Sequence, residues 1–146
     1  VTVPLTETVA LTTTSLIDHV AIAAHDAAMS AEWFERTLGL QRHHDEIVED
    51  AGVRLIWLVP CTGQQPSTAA TMQIVQPLRD GPVAHHLAER GEGLHHVCFA
   101  VPDLAASLRD VGEDPSQIFT GGYGKPCAFL KAAPTGCAIE LVERTP

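Results

Sequence analysis

Apolar and polar residues alternate along short stretches of this chain, and glycine, proline or acidic residues bound each stretch. Alternation at period two predicts a strand over 17–23. Val20 and Ile22 fall on one of its faces, and His19, Ala21 and Ala23 on the other. Asp26 reads as a helix N-cap. Met29, Trp33, Phe34 and Leu38 recur at helical spacing over 27–38, and Gly39 stops the helix. Strands over about 40–48 and 53–59 follow, joined by the turn Glu49-Asp50-Ala51-Gly52, then a polar loop over 60–70 and a strand over about 71–76. Pro82 opens a short helix over 82–90 that Gly91 ends. The order then recurs: a strand over 94–101, a helix over 104–111 capped by Asp103 and ended by Gly112, and a short strand near 116–119. The loop 120–125 and hairpin strands over about 126–130 and 137–143, turning at Pro134-Thr135-Gly136, complete it.

The recurrence is visible in the letters. Ile17-Asp18-His19-Val20-Ala21-Ile22-Ala23 matches Leu94-His95-His96-Val97-Cys98-Phe99-Ala100, so His19 and His96 align, as do Asp26 and Asp103. The tails Met72-Gln73-Ile74-Val75-Gln76 and Ile139-Glu140-Leu141-Val142-Glu143 align as well, which pairs Gln73 with Glu140. A helix follows only the first strand of each unit, which excludes a doubly wound parallel sheet. The expectation is an α+β fold of paired βαβββ modules that form one curved mixed sheet around a central cleft. The modules would span about 16–78 and 93–143 of a single domain, 16–146, behind an N-terminal arm, 1–15.

The bulk composition narrows the function. The 146 residues suffice for one domain with a sizeable core, and the formal net charge is −9 with only two lysines, Lys125 and Lys131. No basic cluster exists to meet a nucleic acid. The chain shows no basic start followed by a long apolar stretch, and no run reaches the length of a membrane span, so a cytoplasmic protein without membrane contact is expected. Cys61, Cys98, Cys127 and Cys137 form no CxxC pattern; Cys98 and Cys127 sit in apolar runs and read as small buried hydrophobes.

Small residues flank the histidines on their own face: Ala21 and Ala23 beside His19, Cys98 and Ala100 beside His96. If the repeat is a pseudo-twofold, His19, Gln73, His96 and Glu140 converge in the cleft. Two imidazoles, an amide and a carboxylate suit a five- or six-coordinate divalent ion (Co, Mn, Ni, Zn or Fe) better than a closed structural zinc site. Such an ion keeps positions open for a bidentate oxygen ligand. His43, His44, His85 and His86 read as solvated surface, and strand parity turns His95 away from His96 in a structural role. Gly121-Gly122-Tyr123-Gly124-Lys125 is glycine-rich but lacks the strand-to-helix context of a phosphate loop.

These words resemble the vicinal oxygen chelate superfamily, the glyoxalase fold, over about 16–143. Within it they resemble methylmalonyl-CoA epimerases most, through 17–23, Trp33-Phe34-Glu35-Arg36-Thr37-Leu38-Gly39-Leu40, Gln76-Pro77-Leu78, 91–97, Gly124-Lys125-Pro126 and Ile139-Glu140-Leu141. The resemblance implies a homodimer with metal ligands His19, Gln73, His96 and Glu140. It implies substrate contacts from Tyr123, Gly124 and Lys125. It also implies epimerisation of a small acyl-CoA thioester such as methylmalonyl-CoA by enolisation, with Glu140 as the acid/base on one face. Where such epimerases often carry a second glutamate, this chain has Leu55; where a histidine commonly precedes Gly-Lys, it has Tyr123. Other readings of the same site are a glyoxalase-type lyase, an Fe(II) dioxygenase using His19, His96 and Glu140, and a non-catalytic ligand-binding protein.

Overall fold

The computed structural model describes residues 16–60, 70–133 and 136–144. The expected arm over 1–15, most of the loop 60–70 and part of the turn 134–136 lie outside the described residues. The strands are β1 (Leu16–Ala23), β2 (Leu40–Val48), β3 (Val53–Pro60), β4 (Thr71–Pro77), β5 (Gly93–Val101), β6 (Phe119–Thr120), β7 (Pro126–Phe129) and β8 (Ala138–Glu143). The helices are α1 (Ala27–Leu38), α2 (Pro82–Arg90) and α3 (Leu104–Asp110). No helix among the described residues is long and apolar enough to cross a membrane.

The eight strands form one mixed sheet in the order β2-β3-β4-β1-β5-β8-β7-β6, curled into a half-barrel. That order is the repeat made spatial. Reading outward from the centre, β1-β4-β3-β2 on one side corresponds to β5-β8-β7-β6 on the other. The two first strands, β1 and β5, meet antiparallel at the middle, while β1 pairs β4 and β5 pairs β8 in parallel. The expected α+β arrangement of paired βαβββ modules is therefore present.

Equivalent local chemistry starts the equivalent helices. The Asp26 carboxylate accepts the Met29 N–H at 3.0 Å, and Asp103 accepts the Ala106 N–H at 2.9 Å, each satisfying a donor that a helix start leaves unpaired. Gly39 ends α1 with φ 70°, a left-handed conformation that glycine adopts without strain. On one face of the sheet, Ala27 and Ala31 of α1 pack on Ile56, Leu58 and Ile74. On the same face of the other module, Leu104 and Leu108 of α3 pack on Val101, Ala128 and Leu141. The alanines let α1 approach closely. Val20 and Ile22 stay half-buried.

The second module departs from expectation at its shortest strand. Residues 115–117 form a 3-10 turn, not a strand, and β6 is only two residues long. Pro115 has no N–H for a ladder, and the Asp114 carboxylate takes the Ser116 N–H at 2.9 Å, so local bonding outcompetes pairing there.

Ile56 is fully buried where α1 meets the sheet. Ile56→Ala is expected to lower unfolding free energy by about 2–5 kcal/mol in urea titrations. The cleft on the other face of the sheet should keep its ligand affinity.

Candidate metal centre

The four polar residues picked out by the repeat lie on four adjacent strands: Gln73 on β4, His19 on β1, His96 on β5 and Glu140 on β8. Each is at most 7 % exposed. Gln73 lies opposite Ala21 and Trp57, His96 opposite Ala21, and Glu140 opposite Cys98, so strand pairing keeps the side chains on one face. All four line a cavity of about 580 Å³. His19 Nε2 is 3.1 Å from His96 Nε2, and His96 Nε2 is 3.4 Å from a Glu140 oxygen. Donor atoms of His19, His96 and Glu140 all lie within 4.8 Å of one another.

The side chains around these three fix their charge and orientation. His19 Nδ1 donates to the Asp18 carboxylate at 2.8 Å, which leaves its Nε2 lone pair turned into the cavity. Burial raises the Asp18 carboxyl, but the His19 hydrogen bond and charge, with Arg144 and Lys125, outweigh it and hold Asp18 below the usual range. Burial, then the neighbouring His19 and His95, keeps His96 well below its ordinary value, so it is neutral. Burial raises the Glu140 carboxyl, with only partial relief from His19 and the Cys98 thiol, which donates to it at 3.4 Å. Cys98 and Cys127 are both buried, and burial with the Glu140 charge pushes Cys98 up strongly and Cys127 to about 12. They are more than small hydrophobes: as protonated thiols they face the carboxylate.

This donor set fits a divalent ion. A buried carboxylate beside the neutral His96 ring is poorly solvated, and a cation among the three would compensate its charge. The ligand atoms of this set are nitrogen and oxygen; Asp18, His19 and Cys98 make a second group of possible donors that shares His19. Gln73 reaches the same cavity from the strand next to His19.

The wall beside this floor is apolar, made of Val48, Val53, Leu55, Val59 and Val75 with Trp57. Trp57 packs edge-on against His19 with ring centroids 4.8 Å apart, and its indole N–H is buried without an acceptor among the described residues. Of the expected substrate contacts, Tyr123 and Lys125 line the cavity, whereas Gly124 closes the adjoining 3-10 turn with φ 66°. Tyr123 itself has φ 57°, a strained conformation for an aromatic residue. Its backbone N–H donates to Glu46 at 2.8 Å, and its ring stacks on His44 at 4.4 Å and leans on Trp57 at 5.0 Å.

Several histidines behave otherwise than alternation suggests. His44 is half-buried under Tyr123 and His86 packs on His95 with centroids 4.7 Å apart, whereas His43, at the cavity, and His85, beside Asp80, are exposed as expected. His95 does not point away from His96. The β1–β5 ladder skips it, with Ala21 opposite His96 and Ile22 opposite Leu94, so His95 is a bulge residue. The bulge turns its ring to the cavity, where its Nδ1 lies 2.7 Å from His96 Nδ1.

Residues 18–125 match the family model of the Glyoxalase/Bleomycin resistance protein/Dioxygenase superfamily. The chain belongs to that superfamily. Within it, the chain is 30 % identical over 134 residues to an ethylmalonyl-CoA/methylmalonyl-CoA epimerase of Cereibacter sphaeroides, covering 86 % of this chain and 95 % of the relative. The crystal structure of methylmalonyl-CoA epimerase from Mycobacterium tuberculosis superposes with a TM-score of 0.76 at 32 % identity, over 93 % of this chain and 94 % of that one. A Streptomyces coelicolor methylmalonyl-CoA epimerase variant in complex with 2-nitronate-propionyl-CoA gives 0.76 at 33 %, over 92 % and 100 %. This superfamily member is thus an epimerase-like enzyme.

The buried histidines make folding pH-dependent. Burial, with the His86 charge, lowers His95 to about 4, and His96 is lowered too, so both rings are neutral when folded. Below about pH 6.5 the unfolded chain binds the protons that the folded chain refuses. Stability of the metal-free protein therefore falls as pH drops from about 6.5 toward 5. Denaturant titrations at the two ends of that window should show the lower midpoint on the acid side, with a smaller difference in His95→Asn.

Proposed function

We propose that this chain is a metal-dependent isomerase that enolises a small 2-carboxyacyl thioester such as methylmalonyl-CoA. The observation that carries the reading is the convergence of His19, His96 and Glu140 within 4.8 Å on the floor of a cavity with an apolar wall. His19, Gln73, His96 and Glu140 would hold the ion, whose contribution is Lewis acidity toward two neighbouring substrate oxygens. Its identity falls among Co, Mn, Ni, Zn and Fe by the chemistry of the ligands.

The residues of the chain divide the remaining work. Val53, Leu55, Val59 and Val75 exclude water from the acyl portion, which strengthens every charge interaction on the floor. Lys125, which lines the same cavity, offers an ammonium to an anionic part of the substrate. Tyr123 sets the position of its loop through Glu46 and His44. Glu140, the one carboxylate of the quartet, takes the α-proton on its own side. Leu55 is buried among Ala23, Val53, Trp57 and Val75 and carries no proton. Removal and return of the proton on the Glu140 side is consequently faster than inversion, which needs an acid/base on each face.

Metal-loaded protein in D2O should exchange the α-hydrogen of methylmalonyl-CoA faster than it interconverts the epimers, with mass spectrometry reading exchange and chiral analysis reading inversion. Glu140→Gln should slow exchange by at least about 100-fold. Absence of exchange in the metal-loaded wild type would overturn the reading.

A further inference from the structure

The bulge at His95 has a counterpart in the first module. The ladder between β1 and β5 breaks twice: once at Asp18, which lies between the pairs Ile17–Phe99 and His19–Cys98, and once at His95. Asp18 and His95 occupy equivalent places in the repeat, each immediately before a cavity histidine. Each bulge turns a side chain that alternation would send to the opposite face back toward its neighbour. Asp18 reaches His19 Nδ1 at 2.8 Å, and His95 Nδ1 reaches His96 Nδ1 at 2.7 Å.

We propose that His95 is a positioning residue: it accepts the Nδ1–H of His96, selects the tautomer whose Nε2 lone pair faces His19 and Glu140, and so prepares His96 to bind a divalent cation. Two rings joined Nδ1 to Nδ1 share one proton: with it on His96 the Nε2 is free for a cation, and with it on His95 the His96 Nε2–H donates instead to His19 Nε2 at 3.1 Å. The other faces of the His95 ring are held by packing, with His86 at 4.7 Å and Phe129 at 6.2 Å between centroids, and Phe129 also packs on His96 at 5.2 Å. The two modules thus orient their ligands by the same backbone device with different chemistry. Asp18 is a carboxylate partly balanced by Arg144 at 3.1 Å. Beside His96 stands Glu140 at 3.4 Å, where a second carboxylate would add like charge to a buried site; a neutral ring orients the ligand without it.

The inference rests on the metal reading above, and its test separates the two. His95→Leu removes the acceptor and keeps an apolar side chain at the bulge. His95→Asn restores an acceptor of the length that Asp18 uses at the equivalent place. Calorimetric titration with Zn2+ or Co2+ should show about 10- to 100-fold weaker binding in the leucine variant. The asparagine variant should recover most of it, with circular dichroism unchanged in both. In metal-free protein, 15N spectra of the His96 ring should show the Nδ1–H fraction falling in His95→Leu and returning in His95→Asn. Wild type that binds neither ion would overturn the metal reading, and the ring spectra would still decide the role of His95. An unchanged tautomer fraction in His95→Leu, or an asparagine variant no better than the leucine one, would overturn the inference.

Discussion

The antiparallel pairing of β1 with β5 is the constraint on which the rest of this molecule depends. It joins two copies of one βαβββ unit along their first strands, and therefore brings His19 and His96, equivalent residues far apart in the chain, to 3.1 Å. The parallel neighbours β4 and β8 then deliver Gln73 and Glu140 to the same face. Helices α1 and α3 cover the other face, which leaves the histidine side open as a cavity. Small residues along β1 and β5, Ala21, Ala23, Cys98 and Ala100, keep bulk away from the seam. Registering two strands thus does the work of assembling the four candidate ligands.

Burial sets the chemistry of what is assembled. Removing Glu140 from water raises its carboxyl, and removing His96 holds it neutral. In the metal-free protein the same burial keeps the Cys98 and Cys127 thiols protonated beside the carboxylate, to which Cys98 donates. The opposite balance holds at Asp18, where hydrogen bonding and positive neighbours win over burial. The result is a floor of lone pairs and one carboxylate under an apolar wall, an arrangement that favours a cation over any neutral occupant.

Much of this was legible in the letters, because period-two alternation and the matched repeat report which face a residue takes. The quartet, both helix caps and the paired modules follow from those two signals. What escaped them lies where the period breaks. His95 changes face through a bulge that alternation does not register, although the match of Asp18-His19 with His95-His96 was a signal that the two leading residues do similar work. His44 looked solvated because nothing in β2 foretells the Tyr123 loop, strained at φ 57°, folding over it. The strand expected near 116–119 gave way to local bonding by Asp114 and Pro115. Leu55 was legible as a residue and became meaningful only as part of a continuous apolar wall.

The central claim is that one ion is held by His19, His96, Gln73 and Glu140 through nitrogen and oxygen alone, with the Cys98 sulfur close by but excluded. X-ray absorption spectroscopy of the protein loaded with a single equivalent of Zn2+ or Co2+ reads this directly. The account predicts a shell of nitrogen and oxygen at about 2.0–2.2 Å with the outer-shell scattering of two imidazoles. A sulfur contribution at about 2.3 Å, or scattering from fewer than two imidazoles, would contradict it.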